Sequence, residues 1–204
     1  MVSESEQSLR CGESPGLVVA IGSSAGGLVE VIRIAESLGE WFRGTIIFAN
    51  HRPPESGNRL HSILAGRARI EVEEPEDEDC LEKSTIYVGH ASDTVEVDGA
   101  EFDVDENTSM KSRLRRIDDL FASVAESSGV DAVGVVLSGA LSDGALGLKA
   151  IYNAGGYCMV QDPEHAEHDS MPACALSMVP DAFVGTTDDI ISKLMEISMR
   201  RNQI

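Results

Sequence analysis

The strongest constraint on how this 204-residue chain can fold is its alternation of short apolar runs with segments of helical periodicity. In LVVAIG (17–22) every position before the glycine is apolar, so both faces of the segment need cover, as in a buried strand. A glycine-rich turn follows, and then Leu28, Val31, Ile32, Ala35 and Leu38 recur at helical spacing up to Gly39. TIIFAN (45–50), STIYVG (84–89), DAVGVVLSG (131–139), YCMVQ (157–161) and AFVG (182–185) read as further strands. Between them, helices are predicted around Leu60, Ile63 and Leu64, over 117–128, over 143–154 and over 187–200, the last opened by a Thr186/Asp189 capping box. Strands alternating with helices predict an α/β fold, a doubly wound and mostly parallel sheet in a single domain. TVEVDGAEFDV alternates in the other sense around Asp98-Gly99 and predicts an antiparallel hairpin with a type I′ turn at one edge of that sheet.

Composition excludes several function classes. The formal net charge of −19 repels phosphate, so a nucleic-acid partner is not expected. The 42% apolar content supports a packed core, yet no run is long enough to span a bilayer, so no membrane insertion is expected. Residues 1–15 carry neither a basic nor an apolar signal-peptide region and read as a polar, poorly ordered tail. Residues 16–204 then form one domain of a cytoplasmic protein. The segment 71–82 (EVEEPEDEDCLE) reads as a solvated edge or loop, because its spacing fits no calcium loop. Only four lysines accompany the acidic surface, a balance compatible with high salt and equally with ordinary solubility. Cys11, Cys80, Cys158 and Cys174 form no C-x-x-C pair, so neither a disulfide framework nor a zinc site is expected, and Cys158 and Cys174 read as small packed residues.

In an open parallel sheet, ligands bind beyond the C-terminal ends of the strands. The first strand delivers Gly22-Ser23-Ser24-Ala25-Gly26-Gly27, the second Asn50-His51-Arg52-Pro53-Pro54, and the strand over 131–139 leads to Ser138-Gly139-Ala140-Leu141-Ser142-Asp143-Gly144. A serine, a histidine and an aspartate therefore reach one rim from three strands. Gly22-x-Ser24-x-Gly26 fits the G-x-S-x-G elbow in its required strand–turn–helix context. A glycine-rich phosphate cradle is the rival reading, but G-x-G-x-x-G, an acidic end to the second strand and a Walker lysine are all missing. A serine hydroxyl needs an adjacent base, which a neutral imidazole at His51 can be. Asp143 can orient that imidazole, or it can cap the helix that follows it. His165, His168 and Asp169 lie close together, but a metal there would need a further ligand from elsewhere. No metal or other cofactor is expected.

These motifs together resemble the catalytic domain of the chemotaxis protein-glutamate methylesterases of the CheB type. IGSSAGG is similar to that family's serine turn and NHRPP to its Q-H-M-P-P segment. VVLSGALSDGALGL is similar to V-I-L-T-G-M-x-x-D-G-x-x-G, and VQDPEHAEHDSMPACAL to a stretch near the family's C-terminus. The resemblance implies hydrolysis of γ-glutamyl methyl esters on methylated chemoreceptor cytoplasmic helices, often with deamidation of receptor glutamines. It makes Ser24 the nucleophile, His51 the base and Asp143 the acid, with the backbone N–H of Ala140 as an oxyanion donor. Ala25 N–H is a second candidate donor on chemical grounds.

The chain departs from the family at Gly89-His90-Ala91-Ser92, at Ser112–Arg116 and at Ala173, segments expected to border the cleft. Family members of chemotaxis operons usually carry an N-terminal receiver domain, whereas only the short tail precedes the first strand here. An acidic receptor helix needs a basic patch to dock on, and Lys111, Arg113, Arg115 and Arg116 can supply one or can simply start a solvated helix. Two alternatives stay open: an esterase or amidase on another substrate, and a non-catalytic signalling module of the same fold.

Overall fold

The computed structural model describes Cys11, residues 16–39 and residues 41–201. The expectation of a disordered tail over 1–15 falls, apart from Cys11, outside these residues. In chain order the elements are β1 (Val18–Ser23), α1 (Leu28–Ser37), β2 (Thr45–Asn50), α2 (Arg59–Ala65), β3 (Glu71–Glu73), β4 (Thr85–Val88), β5 (Thr94–Asp98) and β6 (Glu101–Asp105). They continue with α3 (Met110–Arg113), α4 (Arg116–Ser128), β7 (Ala132–Val136), α5 (Ala145–Asn153), β8 (Tyr157–Gln161), α6 (Ser170–Met178), β9 (Phe183–Gly185) and α7 (Thr187–Arg201).

Seven strands form one parallel sheet in the order β3-β4-β2-β1-β7-β8-β9. The sheet is doubly wound, as its sequence pattern predicts. β1 shows why its run of apolar residues is unbroken. Val18 and Ala20 point to one face, packed with Ile117, Phe121 and Val124 of α4, Leu148 and Ile151 of α5 and Ala175 of α6. Val19 and Ile21 point to the other, packed with Val31, Ile34 and Ala35 of α1, Leu60 and Leu64 of α2 and Ile190 and Leu194 of α7. At about 25 cal/mol per Å² of apolar surface, such two-sided burial is the main force holding these strands in place. Strand order reverses between β1 and β7, so a crevice opens at the C-terminal ends of those two strands.

The Thr186/Asp189 capping box forms: Thr186 N donates to Asp189 Oδ2 at 2.9 Å and Asp189 N to Thr186 Oγ1 at 3.3 Å. The hairpin also forms, as a separate two-stranded sheet packed on α4 rather than as an extension of the main sheet's edge. Its turn departs from the type I′ expectation. Asp98 pairs with Glu101, so Gly99 and Ala100 are the turn residues, and only Gly99 has a positive φ (+62°), which fits type II′. Glu71–Glu73 forms the short edge strand β3, three glutamate-flanked residues that pair with β4. Segment 170–178, with its mix of small and apolar residues, is the helix α6, with Pro172 tolerated in its first turn.

The cysteine expectation is corrected. Cys11 and Cys80 form a disulfide across a sequence separation of 69. Spacing along the chain could not reveal it, because only the fold brings Cys11 against the stretch that leads into β4. Cys80 is itself held there by a β-bridge to Glu101. Cys158 is buried, as expected, and burial pushes its thiol pKa up to about 12.

Candidate active site

The register of three neighbouring strands brings the candidate residues together. The β1–β2 ladder ends with the pair Ser23–Asn50, so Ser24 and His51 are the next residues on adjacent strands. His51 N donates to Ser23 O at 3.1 Å, carrying the ladder past the strand ends. On the other side, Ser24 N donates to Ser138 O at 3.0 Å, tying the serine turn to the loop that follows β7. Ser23 and Ser138 are fully buried and act as fasteners. Asn50 Nδ2 donates to Ser23 Oγ at 2.7 Å. Ser138 Oγ donates to Ala25 O at 3.0 Å and accepts from His168 N at 2.9 Å. Gly26 has a φ of +75°, which lets the turn swing from strand into α1.

His51 Nε2 lies 2.8 Å from Asp143 Oδ2. That leaves Nδ1 as the nitrogen available to accept a proton. Asp143, 8% exposed, does not cap the helix that follows it, the rival role its sequence position suggested. Its carboxylate caps α4 from outside, accepting Ile117 N at 3.0 Å and Asp118 N at 2.9 Å. These first-turn N–H groups have no partner inside their own helix, and the helix dipole favours an anion there. Asp118 returns the arrangement: its Oδ1 accepts Gly144 N at 2.9 Å and Gly147 N at 2.8 Å at the start of α5. Burial, and next the charge of Asp143, raise the Asp118 pKa against these two N–H groups. Sequence reading missed Asp118. Its only signal is an acidic residue in the first turn of a predicted helix.

Ala25 and Ala140, the candidate oxyanion donors, follow Ser24 in the serine turn and Gly139 in the loop after β7, and their N–H groups donate to no other described group. The next residue, Leu141, is 73% exposed and left-handed, with a φ of +72°. A non-glycine residue held there costs on the order of 1 kcal/mol, the kind of strain that gathers at functional loops. Met171 closes the floor: a methyl group added at Gly139 would collide with both Met171 Sδ and Ser24 Cβ.

An open groove of about 540 Å³ runs beside His51, lined by Arg52, Pro53, Pro54, Met110, Arg113 and Leu114 with Arg116 at its base. Met110 and Leu114 are exposed apolar residues on this rim. Of the three arginines expected to dock a partner, Arg113 lines the groove, and Arg115 is exposed and pairs with Asp119 at 3.1 Å. The expectation for Arg116 is corrected: the residue is 6% exposed, and its guanidinium is held by the carbonyls of Asn50, Ala91 and Asp93. Burial, with the charges of Arg52 and Arg113, lowers its pKa to about 10. His165 pairs with Asp162 at 3.0 Å, whereas His168 meets the site through its backbone, its N–H reaching Ser138 Oγ and its carbonyl accepting Gly139 N at 3.0 Å. Among the described residues no cluster of His, Cys, Asp or Glu could hold a metal ion, and no helix is long and apolar enough to cross a membrane.

Comparison with known proteins places this geometry. The model of the CheB methylesterase family matches residues 19–194. A protein-glutamate methylesterase/protein-glutamine glutaminase of Burkholderia thailandensis is 32% identical over 186 residues, covering 89% of this chain and 51% of that protein. The chain likewise spans about half the length of a relative from Carboxydothermus hydrogenoformans. A putative protein-glutamate methylesterase/protein-glutamine glutaminase of Leptospira interrogans is 29% identical and is covered over 94% of its length. The crystal structure of the Thermotoga maritima CheB methylesterase catalytic domain superposes with a TM-score of 0.80 at 24% identity, covering 89% of this chain and 98% of that one, so the fold is shared. The seven-stranded parallel sheet is thus the scaffold of a known group, and the chain belongs to the CheB methylesterase family.

Proposed function

We propose that this chain is a protein-glutamate methylesterase that cleaves γ-glutamyl methyl esters on the cytoplasmic helices of chemoreceptors with Ser24, His51 and Asp143. The observation that carries the reading is the 2.8 Å contact between His51 Nε2 and Asp143, with Ser24 held beside His51 by the bond from His51 N to Ser23 O. Ser24 Oγ attacks the ester carbonyl while His51 Nδ1 takes its proton. The imidazolium that results is stabilised by Asp143. The N–H groups of Ala140 and Ala25 receive the developing oxyanion. His51 returns its proton to the departing methoxide, methanol leaves, and an acyl-serine remains. Water attacks that acyl group with His51 again as base, and the glutamate side chain is released as a carboxylate with Ser24 restored.

The names of the Burkholderia and Leptospira relatives pair this activity with a glutaminase. The same acyl-serine forms from a glutamine amide when ammonia leaves in place of methanol, so deamidation is the second reaction of this reading. Arg113 and Arg115 face an acidic substrate helix, while the apolar rim of Met110 and Leu114 takes its non-polar side chains.

Release of methanol from methylated receptor membranes is the direct test. Ser24→Ala should lower turnover by about 10⁴-fold or more, in line with the loss of a triad member. Methanol release by purified Ser24→Ala protein within tenfold of the parent would exclude Ser24 as the nucleophile.

A further inference from the structure

We infer that Arg116 is a positioning residue for the His51–Asp143 pair, a role that rests on the triad reading above and deepens it. Its guanidinium donates to Asn50 O at 3.1 Å, and Asn50 is the residue immediately before His51. A second guanidinium nitrogen reaches Ala91 O at 2.9 Å and Asp93 O at 2.9 Å, in the segment that joins β4 to β5. The two residues after Arg116 in the chain, Ile117 and Asp118, hold the Asp143 carboxylate through their N–H groups.

A closed ring results. It runs from the His51 imidazole to Asp143, through two peptide N–H groups to Arg116, across its side chain to the carbonyl of Asn50, and by one peptide bond back to His51. Every other link in the ring is a backbone group or one of the two proposed catalytic side chains. Arg116 is the one side chain of this ring outside the proposed triad, and it ties the strand end that carries the histidine to the helix start that holds the acid. Arginine suits the task because its planar fork reaches several carbonyls at fixed angles, and each such charge-assisted bond is stronger than a neutral one. Lysine would keep the charge but present only a single ammonium centre. The residue does not touch the reacting atoms.

The test uses the rate at which a fluorophosphonate labels Ser24, which reports serine activation without depending on any natural substrate. Arg116→Lys should label about 100-fold more slowly, the scale of loss for a misplacement near 1 Å. Because the charge is kept and the hold on Asp143 is loosened, the acid limb of its pH–rate profile should also move to lower pH. In Arg116→Ala, guanidinium at non-denaturing concentration should restore labelling about tenfold, equivalent to about 1.4 kcal/mol. Rates are taken per folded protein from near-ultraviolet circular dichroism, and Arg116→Met replaces any variant that does not fold. Arg67→Ala, a solvent-facing arginine just after α2 that pairs with Glu36, should label like the parent.

Labelling of Arg116→Lys within threefold of the parent, with an unmoved acid limb, overturns the inference and leaves the triad standing. Slow labelling whose acid limb stays in place and which guanidinium does not rescue would make Arg116 a stability residue only, and overturns it too. Failure of the parent chain to label at Ser24 would remove both the triad and the role built on it.

Discussion

Asp143→Asn separates what the carboxylate does for the helix from what it does for the imidazole. Asp143 accepts three donors: Ile117 N and His51 Nε2 on Oδ2, and Asp118 N on Oδ1. An asparagine has one acceptor oxygen and one donor nitrogen, so neither orientation satisfies all three. With its oxygen in the Oδ2 place, the amide nitrogen meets Asp118 N–H donor to donor. With its oxygen in the Oδ1 place, the amide nitrogen meets Ile117 N–H and forces His51 into the opposite tautomer. Either way at least one buried donor loses its partner, at a cost of about 1–3 kcal/mol. At 2–4 °C per kcal/mol for a domain of this size, Tm should fall by roughly 2–12 °C. Activity should fall much further, about 10⁴-fold in kcat, because the charge that stabilises the imidazolium is lost in both orientations and the tautomer as well in the second. Calorimetry and methanol release on the same preparation measure the two effects. A variant with unchanged Tm would refute the capping account, and one with kcat within tenfold of the parent would refute the orienting role.

Reduction of the Cys11–Cys80 bond, or Cys80→Ser, opens a loop spanning a sequence separation of 69 and should cost about 4 kcal/mol by chain entropy; an unchanged melting curve under dithiothreitol would contradict this. Burial, reinforced by neighbouring carboxylates, raises the pKa values of Glu96 and Asp103 in the hairpin. A folded pKa above the unfolded one adds stability below the unfolded value, and that stability is lost as pH rises through the folded value. Tm of the parent relative to Glu96→Gln should therefore rise as pH drops from 7 towards 4, and added salt should raise the parent's Tm at pH 7; the opposite pH trend would refute the assignment. Met110→Ser with Leu114→Ser should raise KM for receptor membranes and leave fluorophosphonate labelling of Ser24 unchanged, whereas an unchanged KM would remove the groove from substrate binding.

Much of this was legible in the sequence because two-sided burial writes itself into composition. β1, β2 and β7 are covered on both faces, so their apolar runs are unbroken, and the polar residues just beyond them had to lie on one rim. The serine and histidine segments followed directly. The Asp143 segment did as well, but the partner of its carboxylate did not, because Asp143 and the N–H groups of Ile117 and Asp118 meet only when α4 packs beside α5. Arg116 misled for a related reason. Within a basic stretch it looks like its neighbours, and only the turn into α4 sends Arg115 outward and Arg116 inward. α6 was hidden by weak patterning, since small residues and Pro172 interrupt any apolar stripe. The disulfide links segments that no local pattern connects.

The exchange of caps between α4 and α5 has a consequence for how this molecule fails. Each helix start is neutralised by a carboxylate that its partner supplies, Asp143 to α4 and Asp118 to α5. If the two helices part, the same event strips the imidazole of its acid and leaves two carboxylates and four peptide groups without partners. The working geometry therefore has no soft mode of its own along this seam. Loss of the site and loss of the fold become one cooperative transition, so heat inactivation should trace the unfolding curve instead of preceding it.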